Sequence, residues 1–377
     1  MKILHIIDSG GLYGAEVMLL NLVAEQTRLG YTVEIASIGE KGIEAKPIET
    51  AAIEKGFAVR KFRMRPGPNL PGALTVLRHA HQKQFDLLHS HGYKSNILFG
   101  LLPRPIRQLP MVATLHGWTA TQGFNKMKVY EWLDSISLRF IDTVVLVNRG
   151  MRAHPRIRKN GRKTFQVVNN GISPTPDASP ATIDPALQAF CEHGYTIGAL
   201  GRLSAEKGFG YLIEALSILL RQGKDVRLLL LGEGGQRKLL EEKVATLGIG
   251  ERVRMPGFLP DAARYLMLFQ VLAMPSLTEG LPITILEAMR AGVPIAASRV
   301  GGIPHVLEDK QSAMLVPASD PAALAEAIAL LHDNPAMGQA LAATARQDFQ
   351  QHYTSERMAQ AYHRIYARML GQDALSG

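Results

Sequence analysis

Apolar residues along this chain fall into two alternating patterns. Short, nearly continuous runs occur at Lys2–Asp8, Thr32–Ser37, Phe57–Phe62, Leu87–His89, Met111–Leu115, Thr143–Val147 and Phe165–Val168. Between them, stretches ending at Leu29 and covering Leu70–Gln82, Ser95–Leu102 and Lys126–Phe140 repeat apolar positions at the spacing of one helix face. Continuous runs suit strands buried on both sides. The strand and helix alternation predicts a parallel sheet with right-handed crossovers and helices on both faces.

The pattern breaks after Asn169-Asn170-Gly171, where residues 172–185 are rich in Pro, Ser, Thr and Asp and read as a linker. It then restarts. Strands are expected at Tyr195–Gly201, Val226–Gly232, Val253–Met255, Val271–Met274 and Pro294–Ala297, with helices at Phe209–Leu220, Gln236–Leu247, near Asp261, and from Pro282 to a stop at Gly292. Thr354–Leu370 reads as a closing helix. The fold class expected is α/β, two Rossmann-like domains: 1–171, the linker 172–185, a second domain 186–353 and a closing segment 354–377. A length of 377 residues agrees, since one core seldom serves so long a chain.

Composition narrows the class further. One cysteine, Cys191, leaves no internal disulfide framework, and a cytoplasmic location is expected. The apolar start, Ile3–Ile7, stops at Asp8, too short for a signal core, and no apolar stretch approaches the ~18 residues of a spanning helix. The net charge of +9 is lopsided, because residues 1–190 hold 24 Lys and Arg against 14 Asp and Glu. Arg60, Lys61, Arg63, Arg65, Arg104, Arg107, Lys126 and Lys128 offer an anionic membrane surface as a partner at the inner face of the cytoplasmic membrane, and a separate basic run spans Arg152 to Lys163. No nucleic-acid motif is present, so none is expected as partner.

The candidate chemistry centres on Pro275–Gly292. Helix start at Pro282 would leave the backbone N–H groups around Gly280, Leu281, Ile283 and Thr284 at the positive end of a helix dipole, a site for a phosphate. Glu279 and Glu287 bracket it, and carboxylates accept hydrogen bonds from sugar hydroxyls, so a ligand part diphosphate and part sugar fits both features. The same spacing also fits an exposed Glu279 and a buried Glu287 paired with an arginine. Arg202 and Lys207, in a strand-to-helix loop, add two cations where open α/β sheets bind ligands, and the same two residues also suit a solvated surface.

Two segments together, Gly201-Arg202-Leu203-x-x-Glu206-Lys207-Gly208 and Glu279-Gly280-x-Pro282-x4-Glu287-Ala288-Met289-x-x-Gly292-x-Pro294, resemble the family-4 retaining glycosyltransferases of the GT-B fold. The resemblance implies two domains facing across a cleft, an acceptor-side first domain, a closing helix that returns to it, and transfer with retention from a nucleotide-diphosphate sugar to a sugar or lipid-linked glycan. It implies catalytic roles for His116, Arg202, Lys207 and Glu279. It also implies donor contacts for Gly10, Gly11, Gly280, Leu281, Ile283 and Glu287. His305 stands where the family commonly has glutamate.

Other features bear on the same reading. The loop Ser9–Ala15 is Gly-rich, which serves close approach to a ligand or simply a tight turn, and no acidic residue ends Thr32–Ser37 in the manner of an NAD site. His89, His91 and His116 sit at strand ends. They lack a thiolate or carboxylate at zinc spacing, so hydrogen-bonded neutral histidines are expected and no metal. The sequence contains no Asp-x-Asp, the usual metal holder of metal-dependent glycosyl transfer, and no cofactor is expected. Trp118 is a candidate acceptor contact, and backbone near Arg254–Leu259 a candidate for base recognition. A nucleotide-sugar epimerase or hydrolase, and a non-catalytic nucleotide-sugar-binding subunit, are the rival functions.

Overall fold

The computed structural model describes residues 1–67, 69–116, 126–154, 157, 165–176, 182–259 and 261–372, without the side chains of 126–128 and 153. Trp118 and most of the basic run (Arg156, Arg158, Lys159, Arg162 and Lys163) lie outside the described residues. The chain divides into two units: Met1–Ser173 with Thr354–Gly377, and Pro174–Tyr353.

In the first unit, β1 (Lys2–Ile7), β2 (Thr32–Glu40), β3 (Ala58–Met64), β4 (Leu87–His91), β5 (Met111–Leu115), β6 (Thr143–Leu146) and β7 (Phe165–Val167) form a parallel sheet in the order 3-2-1-4-5-6-7. Strands β4 and β5 are buried at every position, as two-sided burial demands. β1 lies between β2 and β4, with Ile7 in register with Ser37 on one side and His91 on the other. The helix Gly14–Arg28 opens with Glu16 reaching back to accept the Tyr13 N–H at 2.9 Å, which satisfies one donor left over at its start.

The chain leaves and re-enters this unit at adjacent points. Ile172 forms a parallel bridge with Thr354, and Ser355 donates its N–H to the Ile172 carbonyl. Thr354 then caps the helix Ser355–Met369 by accepting from the Arg357 N–H. That helix is polar on one face and buries Met358, Ala359, Tyr362, Tyr366 and Ala367 on the other, beside the helix Gly14–Arg28.

The second unit repeats the plan with β8 (Tyr195–Leu200), β9 (Val226–Leu231), β10 (Val253–Gly257), β11 (Val271–Met274), β12 (Ile295–Ser298) and β13 (Met314–Val316), all parallel, in the order 10-9-8-11-12-13. Its core gathers β8, β9 and β11 with Phe209, Leu212, Ile213 and Leu216 from the helix Phe209–Arg221, and Leu324 and Ile328 from the helix Pro321–Asp333.

Several elements depart from the sequence expectation. β13 and the helices Pro47–Glu54, Pro321–Asp333 and Pro335–His352 were not anticipated. The helix expected near Asp261 is a 3-10 segment, Ala262–Leu268, entered through a left-handed Asp261. Pro282 is the N-cap of the helix Ile283–Ala291 rather than its first residue, with ψ of 125° holding it extended. No helix among the described residues is long and apolar enough to cross a membrane.

Four of the eight basic residues expected to meet an anionic surface are engaged. Glu49 takes both Arg63, through two bonds, and Lys61, while Asp142 holds Arg104 and Arg107. Arg107 is fully buried, with its Nη2 donating to Asp142 at 2.7 Å and its other nitrogens to the Leu109, Phe99 and Phe140 carbonyls. Desolvation lowers its pKa, and Asp142 works against that fall. Asp142→Ala therefore strands a buried guanidinium and is expected to cost roughly 3–5 kcal/mol of unfolding free energy. Urea denaturation measures it, and a loss below about 1 kcal/mol would contradict this account of the pair.

Candidate active site

Each sheet reverses its winding once, between β1 and β4 in the first unit and between β8 and β11 in the second. At such a point the loops leaving neighbouring strands run to opposite faces and leave a crevice beyond the strand ends, where open α/β sheets hold ligands. The candidate residues of each unit cluster at its own reversal.

In the second unit, β8 leads into the loop Gly201–Gly208 and β11 into the loop Pro275–Pro282. Lys207 Nζ donates to Glu279 Oε1 at 2.6 Å, and Ser276 Oγ donates to the same oxygen at 2.7 Å. The Glu279 side chain is 9% exposed and that of Lys207 23%, so Glu279 is not the solvent-exposed residue that was one sequence alternative. The Leu277 N–H donates to the Glu206 carbonyl at 2.8 Å and ties the two loops together.

Two glycines let the backbones come this close. Gly208 has φ of +65°, and a Cβ there would stand 2.2 Å from the Pro275 carbonyl oxygen. Gly301, at φ +55°, would put one 1.9 Å from the carbonyl oxygen of Glu279, while the neighbouring Gly302 N–H donates to that same oxygen. Any side chain at either position pushes Glu279 or its loop aside.

Arg202 is not drawn into the Lys207–Glu279 pair. Its Nη2 bonds Glu206 Oε1, and its side chain is 48% exposed. Glu206 is held below the usual carboxylate range by hydrogen bonds, including that from Arg202, which outweigh its partial burial. Gly280 and Leu281 precede the extended Pro282, which as N-cap makes no side-chain bond to the helix that begins at Ile283, and the first turn carries the positive end of that helix's dipole. Glu287 lies half-buried on that helix, and its carboxyl is raised by desolvation, with Arg290 opposing the rise. His305 is exposed in a 3-10 turn, its carbonyl accepting from the Tyr353 hydroxyl.

In the first unit, a cleft of about 130 Å³ opens at the reversal, lined by Ile7 and Asp8 at the end of β1, His91 and Gly92 at the end of β4, and Leu115 and His116 at the end of β5. Ala15, Glu16, Tyr93, Asn96 and Thr114 complete it. Gly10 and Gly11 are not among its lining residues. They lie in the loop before the helix Gly14–Arg28, where the Ser9 hydroxyl donates to the Gly11 carbonyl. Glu16 already occupies that helix start, and Asp8, although paired with Lys46 and Lys94, adds a second carboxylate. A phosphate suits this cleft poorly, whereas hydroxyl groups suit it well.

The histidines expected at strand ends belong to a larger set. His5, unremarked in the sequence, joins His89 and His91 at full burial, and its Nδ1 lies 3.0 Å from His91 Nε2. His91 Nδ1 is 3.2 Å from His116 Nε2. Both nitrogens of His89 are bonded too, to the Tyr366 hydroxyl at 2.8 Å and to Thr114 Oγ1 at 2.7 Å. His5, His89 and His91 bring ring nitrogens within 4.8 Å of one another, near enough to share an ion, but each of those nitrogens already has a hydrogen-bond partner and no carboxylate belongs to the group. Signals for the missed members were present: a histidine inside the apolar run of β1, and two tyrosines four apart in the closing helix.

The profile described as Glycosyl transferases group 1 matches residues 194–334, and that described as Glycosyltransferase Family 4 matches residues 13–175. The chain belongs to the group 1, family-4 glycosyltransferases. A D-inositol 3-phosphate glycosyltransferase of Corynebacterium urealyticum is 26% identical over 86% of this chain and 82% of its own. The amylovoran biosynthesis glycosyltransferase AmsK of Erwinia amylovora is 32% identical over 44% of each. The chain spans less than half the length of the first relatives it matches above 30% identity. The crystal structure of Anabaena HepE in complex with UDP superposes with a TM-score of 0.82 at 22% identity, covering 98% of this chain and 100% of that one, and fixes the GT-B fold class for this glycosyltransferase.

Burial pushes His5 and His116 down to about 4 from 6.5, and also lowers His89 and His91 well below their ordinary value with help from the neighbouring histidines. All four are neutral near pH 7. A histidine with a lowered folded pKa binds fewer protons folded than unfolded, so stability is full above about 6.5 and falls as pH drops toward about 4. The loss expected is on the order of 3 kcal/mol from His5 alone. Denaturation series between pH 7.5 and 4.5 test this, and a midpoint that holds steady across that range would refute the neutral row.

Proposed function

We propose that this glycosyltransferase moves a hexosyl-type sugar from a nucleotide-diphosphate sugar to an acceptor hydroxyl, with retention of configuration, in polysaccharide or glycolipid assembly. The observation that carries this reading is the joining of Lys207 and Glu279 at the order reversal of the second sheet, beside the helix start at Ile283. HepE, bound to UDP and to UDP-glucose in its structures, supports a nucleotide-sugar as the donor class, and AmsK supports a glycan setting.

As the sugar–phosphate bond breaks, negative charge grows on the departing diphosphate. Lys207, Arg202 and the first-turn N–H groups supply fixed positive charge for it, so they bind the transition state more tightly than the substrate. In the free protein Lys207 is held by Glu279 and Arg202 by Glu206. An arriving diphosphate competes for both cations. Glu279, released from Lys207, is then an acceptor for sugar hydroxyls, and Glu287 holds further donor hydroxyls from the same helix.

Retention without a carboxylate nucleophile requires the acceptor to attack the face that the diphosphate leaves. A leaving phosphate oxygen then takes the acceptor's proton. The first unit's cleft, with His91, His116, Thr114 and Asn96 among its lining, offers neutral polar groups for sugar hydroxyls. The acceptor is read as a sugar or a lipid-linked glycan. An anionic leaflet as a further partner draws little on Lys61, Arg63, Arg104 and Arg107, because all four are paired.

Lys207→Ala is expected to lower turnover by about two orders of magnitude, in line with the ~3 kcal/mol that one such donor contributes. Glu279→Ala should act mainly on kcat and Glu287→Ala mainly on donor KM. Nucleoside diphosphate release is the assay. Release that needs an acceptor marks a transferase, release without one a hydrolase, and no release at all a binder. Activity is expected to persist in excess EDTA, and rescue of a chelated sample by magnesium or manganese would overturn the metal-free reading.

A further inference from the structure

Two hydrogen-bonded arms start from one buried amide, that of Gln26 on the helix Gly14–Arg28. Gln26 Oε1 lies 2.8 Å from His5 Nε2, and its Nε2 donates to the Tyr366 hydroxyl at 3.3 Å. A neutral imidazole has one donor nitrogen and one acceptor, so the direction of each bond dictates the next. Because Gln26 Oε1 only accepts, His5 carries its proton on Nε2 and its Nδ1 accepts from His91 Nε2. His91 Nδ1 then accepts from His116 Nε2. That leaves His116 Nδ1 deprotonated, and it is the one ring nitrogen of the row with no partner among the described residues.

The second arm has the same logic. Tyr366, accepting from Gln26, donates to His89 Nδ1, and His89 Nε2–H donates to Thr114 Oγ1, which in turn donates to the Tyr362 hydroxyl. Reversing the Gln26 amide would reverse every bond in both arms and put a proton on His116 Nδ1. We propose that Gln26 is a positioning residue, which through His5 and His91 holds His116 in the Nε2–H tautomer, so that Nδ1, itself buried where His116 lines the cleft, is left as an acceptor for a hydroxyl rather than a donor. The identity of that hydroxyl as one from a sugar rests on the function proposed above; the tautomer does not.

The row suits such a device. Burial keeps the rings uncharged near neutral pH, so what passes along it is hydrogen-bond direction rather than charge. Gln26, His5, His89 and Tyr366 are all buried to within 1% of full, so water does not compete for the bonds.

Imidazole-15N labelling and long-range 1H–15N correlation read histidine tautomers directly, with His5→Asn and His116→Asn assigning the signals. In the unaltered protein at pH 7, His5, His89, His91 and His116 are all expected as Nε2–H. In Gln26→Glu, the carboxylate accepts from both His5 and Tyr366, so His89 alone should switch to Nδ1–H while His116 stays as it was. Gln26→Met, which offers no acceptor of comparable strength, should give His116 a mixture. An Nδ1–H signal for His116 in the unaltered protein overturns the proposal, as does a His116 tautomer indifferent to Gln26→Met. Should Gln26→Met fail to fold, the unaltered protein and Gln26→Glu decide. None of these readings needs turnover, so a protein that releases no nucleoside diphosphate would refute the transferase reading and leave the tautomer result standing.

Discussion

The candidate site residues gathered in each unit sit where its parallel sheet reverses its winding. A parallel strand cannot turn back on its neighbour; it must cross over through a helix, and successive right-handed crossovers pile up on one face until the strand order changes direction. Where it changes, between β1 and β4 and between β8 and β11, the loops part and the strand ends are left uncovered by helices. The Lys207–Glu279 pair and the histidine cleft are both products of that constraint, each arising within its own unit.

The two crevices answer it with opposite chemistry. The second unit's loops keep two cations, each held on a carboxylate, beside the helix start at Ile283. The first unit's comparable helix start is already filled by Glu16, and its crevice presents neutral imidazoles, two hydroxyls and an amide beside Glu16 and the lysine-paired Asp8. Charges held by partners near a surface can be exchanged for an incoming anion at modest cost. Neutral groups fixed by burial cannot change charge cheaply, but they can fix the direction of a hydrogen bond.

Much of this was legible in the residues, for reasons that also mark where legibility ends. β1, β5, β9 and β11 were readable because strands buried on two faces leave continuous apolar runs, and the helix Ile283–Ala291 because Pro282 and Gly292 punctuate it. The helices Pro321–Asp333 and Pro335–His352 were missed although both open with proline, since Ala-rich stretches carry little periodic contrast. Local spacing placed Lys207 and Glu279 in the right loops but could not say that they touch, because 72 residues separate them and only strand order joins them. It also gave Arg202 the same standing as Lys207, whereas the nearer Glu206 claims it.

The histidine row was the least readable part, and the reason is topological. His5, Gln26, His91, His116 and Tyr366 come from two strands, a strand end and two helices, the last of them 340 positions beyond Gln26. No local pattern links such residues. What each but His116 carries is an anomaly of its own: a polar side chain where a strand or helix should be burying an apolar one. A single anomaly of that kind reads as tolerated; several that meet in one place must satisfy one another, since an unpaired polar group in that interior costs more than any of these bonds returns. That mutual requirement makes the closing helix part of the first unit's chemistry as well as of its packing. Tyr362 and Tyr366 fill the core beside the helix Gly14–Arg28, and their hydroxyls form the second arm of the network, through His89 and Thr114.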